Sequence, residues 1–177
     1  MNIEMKKIKH YASMSEETYC YEAVVYLDGK PFAELRNGGH GGCDMVYDHP
    51  RTIYSDIQEW RDKLREVEAY FNSLPQQQFS YENLDGEIVY DYINQTFESW
   101  CHDQVGKHVA LQEMRRDLKK SILFIEDGKL YVMKFPLIKK MNSEIAAKIA
   151  DSNDELRGKQ ILNLMDEKDA LALFQGV

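Results

Sequence analysis

Two Asp-Gly dipeptides, Asp28-Gly29 and Asp127-Gly128, each stand between runs of apolar, aromatic and β-branched residues. That arrangement constrains the fold more than any other feature, because Asp-Gly favours the two-residue type I′ turn whose twist matches two antiparallel strands. The segments "TYCYEAVVYLDGKPFAEL" and "SILFIEDGKLYVMKF" are therefore read as hairpins. Pro31 follows the first turn and suits an edge position, since it has no N–H to donate. A short strand is expected over Lys6 to Ala12, and another over "CDMVYD".

Helical periodicity begins after Pro50. Ile57, Trp60, Leu64, Val67, Phe71 and Leu74 recur at spacings of three and four, an apolar stripe with Ser55 as the expected N-cap and Pro75 as the stop. The polar stretch "QQQFSYENLDG" reads as an exposed connection. A second helix is expected from about Gly86 to His102, a third from Val109 to Lys120 after a break near Gly106. Towards the end, "NSEIAAKIADSN" reads as a helix capped by Asn142 or Ser143. "KQILNL" follows as a strand, and "MDEKDALALF" as a helix capped by Asp166. Strands, then helices, then a hairpin with short helices make an α+β fold rather than a parallel α/β sheet. Residues 1–177 are read as a single domain, with sub-units 1–75 and 84–177 as the alternative division.

Composition narrows the function classes. The net charge is −8, and from Glu66 to Gly106 there are eight acids and no Lys or Arg. Direct nucleic-acid binding is not expected of so acidic a chain, although Arg115, Arg116, Lys119 and Lys120 form a local basic cluster. No apolar run reaches the roughly 20 residues of a membrane helix. The start "MNIEMKKIKHY" is not read as a signal peptide. Three widely spaced cysteines, Cys20, Cys43 and Cys101, argue for reduced thiols and a cytoplasmic location.

The loop Asn37-Gly38-Gly39-His40-Gly41-Gly42 is the candidate site. It lacks the Lys-Ser/Thr of a phosphate loop and the spacing of a dinucleotide loop. A tight strand connection and a shape-specific contact surface both remain open. His40, Cys43 and His49, with Asp44, could supply metal ligands or a thiol site, but no CxxC or HxxxH pair accompanies them. No GxSxG or HExxH motif marks an enzyme, and no cofactor is implied. On the expected second helix, Glu87, Asp91 and Glu98 fall on one face. Carboxylates spaced about 6 Å apart there resemble a line of phosphates. Such a line suits a protein that occupies a basic channel.

The segment "YLDGKPFAELRNGGHGGCDMVY" resembles small phage and mobile-element proteins in which a "DGK" hairpin leads to an N-x-G-H-G-G loop, and "KKSILFIEDGKLYVMK" looks like a segment of the same proteins. The functional class this resemblance implies is a type II-A anti-CRISPR, a non-enzymatic inhibitor of the guide-RNA nuclease Cas9 in the bacterial cytoplasm. Its partner would be Cas9 or another host nuclease, in guide-loaded form or free. A homo-oligomeric phage accessory protein, with the Trp60 and Phe71 stripe partly at an interface, is the third reading.

Overall fold

The computed structural model describes residues Met1–Gly176 as an α+β chain of antiparallel sheets and four α-helices. It forms two compact units, Met1–Gly106 and Lys107 onward. The polar connection after Pro75 is not where they divide. The boundary lies within one continuous helix, Phe97–Leu118. Gly106 does not break that helix, because an isolated helical glycine costs only about 1 kcal/mol. Charge follows the division. Met1–Gly106 holds nine Lys and Arg against nineteen Asp and Glu, a net of −10; Lys107 onward holds thirteen against eleven, a net of +2.

In the first unit, strands β1 (Ile3–His10), β2 (Cys20–Leu27), β3 (Lys30–Gly38) and β4 (Met45–Asp48) form an antiparallel sheet in that order. The first strand thus starts three residues before the expected Lys6. Asp28 and Gly29 both have positive φ (48° and 79°), as a type I′ turn requires. The turn is tied to β1 in both directions: Asn2 donates its backbone N–H to the Asp28 carboxylate, and Asp28 N–H donates to Asn2 O, each at 2.8 Å. Pro31 belongs to an interior strand rather than an edge. It is accommodated because the pairing slips there, from Val25 opposite Ala33 to Tyr26 opposite Pro31.

Tyr21, Ala23, Val25 and Leu27 alternate along β2 and are all buried. Helix α1 (Ile57–Asn72) buries Trp60, Val67 and Phe71, and the Trp60 indole N–H donates to Phe32 O at 3.0 Å. The stripe is core rather than an interface: Trp60 is 5% exposed and Phe71 3%. The N-cap is Asp56, not Ser55, since the Asp56 carboxylate accepts from Gln58 N. The first turns of α2 (Phe97–Leu118) bury Phe97, Cys101 and Val105, and the Phe97 ring packs on Phe71 with centroids 5.7 Å apart.

The expected helix from Gly86 to His102 is the principal correction. Strands β5 (Gln77–Glu82) and β6 (Ile88–Ile93) form a two-stranded antiparallel hairpin, and α2 starts only at Phe97. The cause is a third Asp-Gly turn. Asn83 Oδ1 accepts from the backbone N–H of Asp85 and of Glu87, and Gly86 takes φ 80°. Alternation of Ile88, Tyr90 and Tyr92 outweighs the helical spacing of Val89, Ile93 and Phe97.

In the second unit, β7 (Ser121–Glu126) lies between β8 (Lys129–Lys134) and β9 (Gln160–Ile161). Successive side chains of β7 enter two cores. Ile122 and Phe124 pack with Met141, Ala146, Leu156 and Ile161; Leu123 packs with Met114, Leu162 and Ala170. Burial on both faces explains why this strand is a continuous apolar run. Helix α3 (Ser143–Ser152) is capped by Asn142 rather than by Ser143, the other candidate, and α4 (Glu167–Gln175) by Asp166, as expected.

Asn163 joins the elements around β7. Its Oδ1 accepts from Leu123 N at 2.9 Å, and its Nδ2 donates to Ser121 O and Leu118 O. Replacing Asn163 with Ala leaves these backbone groups without their partner, at an expected cost of about 1–3 kcal/mol. Urea unfolding followed by circular dichroism measures it; an unchanged midpoint would deny the side chain this role.

Candidate partner-binding surface

The glycine loop is organised by one buried carboxamide. Asn37, 9% exposed, closes β3 and reaches back across the loop. Its Oδ1 accepts from Thr18 Oγ1 at 3.0 Å and Gly39 N at 2.9 Å; its Nδ2 donates to Gly42 O at 3.0 Å and Asp44 Oδ1 at 2.9 Å. Both donors and both acceptor sites of the amide are therefore used. The Gly39 carbonyl in turn accepts from the backbone N–H of Glu16 and Glu17, with Thr18 N more distant at 3.4 Å. Gly41 N donates to Thr18 Oγ1. The amides that could have formed an anion-binding nest at Gly39 and Gly41 are occupied inside the chain.

The four glycines are not equivalent. Gly39 (φ +85°) has no room for a Cβ, which would sit 2.2 Å from Met14 O and 2.9 Å from Cys20 Cβ. Gly41 (φ +81°) meets only the movable Glu17 carboxylate, and Gly42 faces open space. His40 projects outward, its ring nitrogen 3.0 Å from Glu16 Oε2 with both side chains mostly solvated, a pairing of little stabilising value. Of the six loop residues, Gly38, His40, Gly41 and Gly42 are exposed, while Asn37 and Gly39 are inside.

Asp44 extends the network. Its Oδ2 accepts from the Tyr21 hydroxyl at 2.5 Å, and its backbone N–H reaches Glu98 Oε1 at 3.3 Å. Burial, then the Asp44 hydrogen bond, hold the Tyr21 phenol well above its ordinary value. An adjoining cleft of about 320 Å³ includes Asp44, Glu68, Asn72, Thr96, Glu98 and Cys101. Burial, then the charges of Asp44 and Glu98, push the Cys101 thiol well above the usual range. It remains a neutral thiol at physiological pH, the opposite of an activated nucleophile.

The metal-ligand set read from the sequence is not assembled. His40 turns to Glu16, Asp44 to Tyr21 and Asn37, and the His49 ring accepts from Arg51 N. Among the described residues, no group of three or more His, Cys, Asp and Glu side chains is placed to hold an ion. Glu87, Asp91 and Glu98 do not share a helix face either. Glu87 sits at the hairpin turn beside Asn83, Asp91 lies within β6 opposite Phe79, and Glu98 is in the first turn of α2. The helical carboxylate line does not exist.

The hairpin that replaces it is a more distinctive surface. The register puts Phe79, Tyr81, Val89 and Ile93 on one face and Ile88, Tyr90 and Tyr92 on the other. Most of these stay exposed: Tyr90 is 65% accessible, Ile88 and Tyr92 58% each, and Phe79 and Tyr81 stack on the surface at 6.0 Å. A strand pair with aromatics on both faces and neither face fully covered presents contact area rather than core. Acids Glu82, Asp85, Glu87 and Asp91 accompany them, with no Lys or Arg in the hairpin. The Asp-Gly turn and the aromatic alternation were the sequence signals for it. Among the described residues, no helix is long and apolar enough to cross a membrane. No protein-family model, curated protein or solved structure matches the chain.

Two outcomes test this geometry. Gly39→Ala is expected to destabilise by about 2 kcal/mol or more through the Met14 clash and the strained φ, whereas Gly42→Ala stays within about 0.5 kcal/mol. Thermal melts of the two variants compare them directly; equal losses would contradict the asymmetry. Tyr21 supplies the second. Its folded value exceeds its unfolded one, so its contribution is complete below about pH 10 and is lost as pH rises further. Tyr21→Phe should therefore show a shallower alkaline fall in stability than the parent, measured by denaturant midpoints from pH 8 to pH 11. Parallel curves would contradict the assignment.

Proposed function

We propose that this chain is a non-enzymatic binding protein that inhibits a nucleic-acid-processing enzyme in the bacterial cytoplasm, with guide-loaded Cas9 as its first target. The observation that carries the reading is the Gln77–Ile93 hairpin, where exposed tyrosines and four carboxylates stand together without a cation. Tyrosine supplies large contact area at small entropic cost, and acids beside it favour a basic partner groove. A protein that handles nucleic acid carries such a groove. The choice of Cas9 rests on the resemblance of the "DGK" hairpin and the N-x-G-H-G-G loop to anti-CRISPR proteins. The closed hydrogen bonding of that loop assigns it a scaffolding part, with His40 as its exposed tip.

Co-elution with guide-loaded Cas9 on a sizing column, followed by DNA cleavage by the complex, tests the proposal. A salt-sensitive complex with reduced cleavage is expected. Tyr90→Ala with Tyr92→Ala should weaken it by about 30-fold, the scale of an interface hot spot. Glu87→Lys with Asp91→Lys should weaken it and reduce its salt dependence. Full cleavage without a complex would overturn the Cas9 assignment, and a complex indifferent to all four substitutions would overturn the hairpin as its contact.

A further inference from the structure

The second unit carries a groove of a different character. It lies between the end of α2, strand β8 and the turn after it, encloses about 770 Å³, and includes Lys120, Lys134, Val132, Phe135, Ile138 and Asp117. Apolar side chains line it together with the two lysines, Ser121 and Asp117. Asp117, its one acid, already pairs with Arg116. Among the described residues, Lys120 and Lys134 form no ion pair. Val132 is half exposed although it belongs to a strand.

Strand β8 is also an edge. Among the described residues it pairs with β7 alone, so the backbone groups along its other side are available to a further strand. We infer that this edge and the groove beside it form a docking site for an extended acidic peptide segment of another protein, bound by strand addition. Main-chain hydrogen bonds along β8 would give the affinity. Apolar side chains of the peptide would enter over Val132, Phe135 and Ile138, and its carboxylates would meet Lys120 and Lys134.

Charge decides the occupant. A second copy of β8 laid antiparallel on the first would bring Lys129 of each copy opposite Lys134 of the other, and like charges directly opposed are unfavourable. Lysines at both ends of an edge strand thus deter self-pairing and select an acidic strand. The site is built from the second unit and the Gln77–Ile93 hairpin from the first, and the docking proposal stands or falls without the Cas9 assignment.

The experiment uses the full chain and a fluorescein-labelled seven-residue peptide, Val-Val-Glu-Glu-Val-Val-Glu, which as a strand shows Val and Glu in turn on each face and so can meet Val132 and Lys134 together, followed by anisotropy. Saturable binding that weakens with salt is expected. The Lys120→Glu, Lys134→Glu double variant should raise the dissociation constant by about tenfold or more, since both cations of the groove are reversed. Both lysines are exposed, so this variant retains the fold, and its circular dichroism checks that it does. A peptide N-methylated at alternate residues keeps every charge but loses the N–H groups a ladder needs, and should not bind. Absence of binding to the parent protein, equal binding to the double variant, or equal binding of the N-methylated peptide would each overturn the proposal.

Discussion

The first unit depends on the Asn37 carboxamide. A side chain with two donors and two acceptor sites on one short stem connects the Thr18 segment, the glycine loop and Asp44 at once. Aspartate at the same place would lose both donors, and glutamine would be one methylene too long for the same set. The Gly39 N–H it accepts is itself buried, and without the amide that group would lose its partner in a place shielded from water. The glycine at position 39 follows from this constraint: the chain must turn tightly enough there to approach Met14 and Cys20.

That network changes what the loop means. Four glycines around a histidine suggested either a turn or a place where something binds, and the hydrogen bonds give Asn37 and Gly39 to the turn. The inner pair are spent on holding β3 against the Ala12–Tyr19 segment, while His40 and its neighbours form the rim. The larger exposed apolar area is elsewhere, on a hairpin whose aromatics lie at the surface.

The two Asp-Gly hairpins, α1 and the caps Asn142 and Asp166 were legible because each is a local matter of a few adjacent residues. The Gln77–Ile93 hairpin was equally local, and was obscured by chance: Val89, Ile93, Phe97 and Trp100 fall at helical spacing although a strand ends and a helix begins between them. With that helix went the carboxylate line of Glu87, Asp91 and Glu98, which existed only at 3.6 residues per turn. The cleft at Asp44 and Cys101 could not be read at all. It joins residues more than fifty positions apart, such as Asp44 and Glu98, and nothing in the spacing of either announces the other. The His40, Cys43 and His49 set failed for the converse reason, since closeness in sequence did not turn the side chains toward one point.

The Trp60 indole bonded to Phe32 and the Trp100 ring beside Phe71 have an optical consequence. Both tryptophans of the chain, and ten of its eleven tyrosines, lie in Met1–Gly106; Tyr131 is the sole such ring after Lys107. Intrinsic fluorescence therefore observes one unit and is nearly blind to the other, whereas far-ultraviolet dichroism sees the helices and strands of both. If the two units lose structure at different denaturant concentrations, the two signals will part company, and the gap between them will measure how far the molecule behaves as one cooperative body.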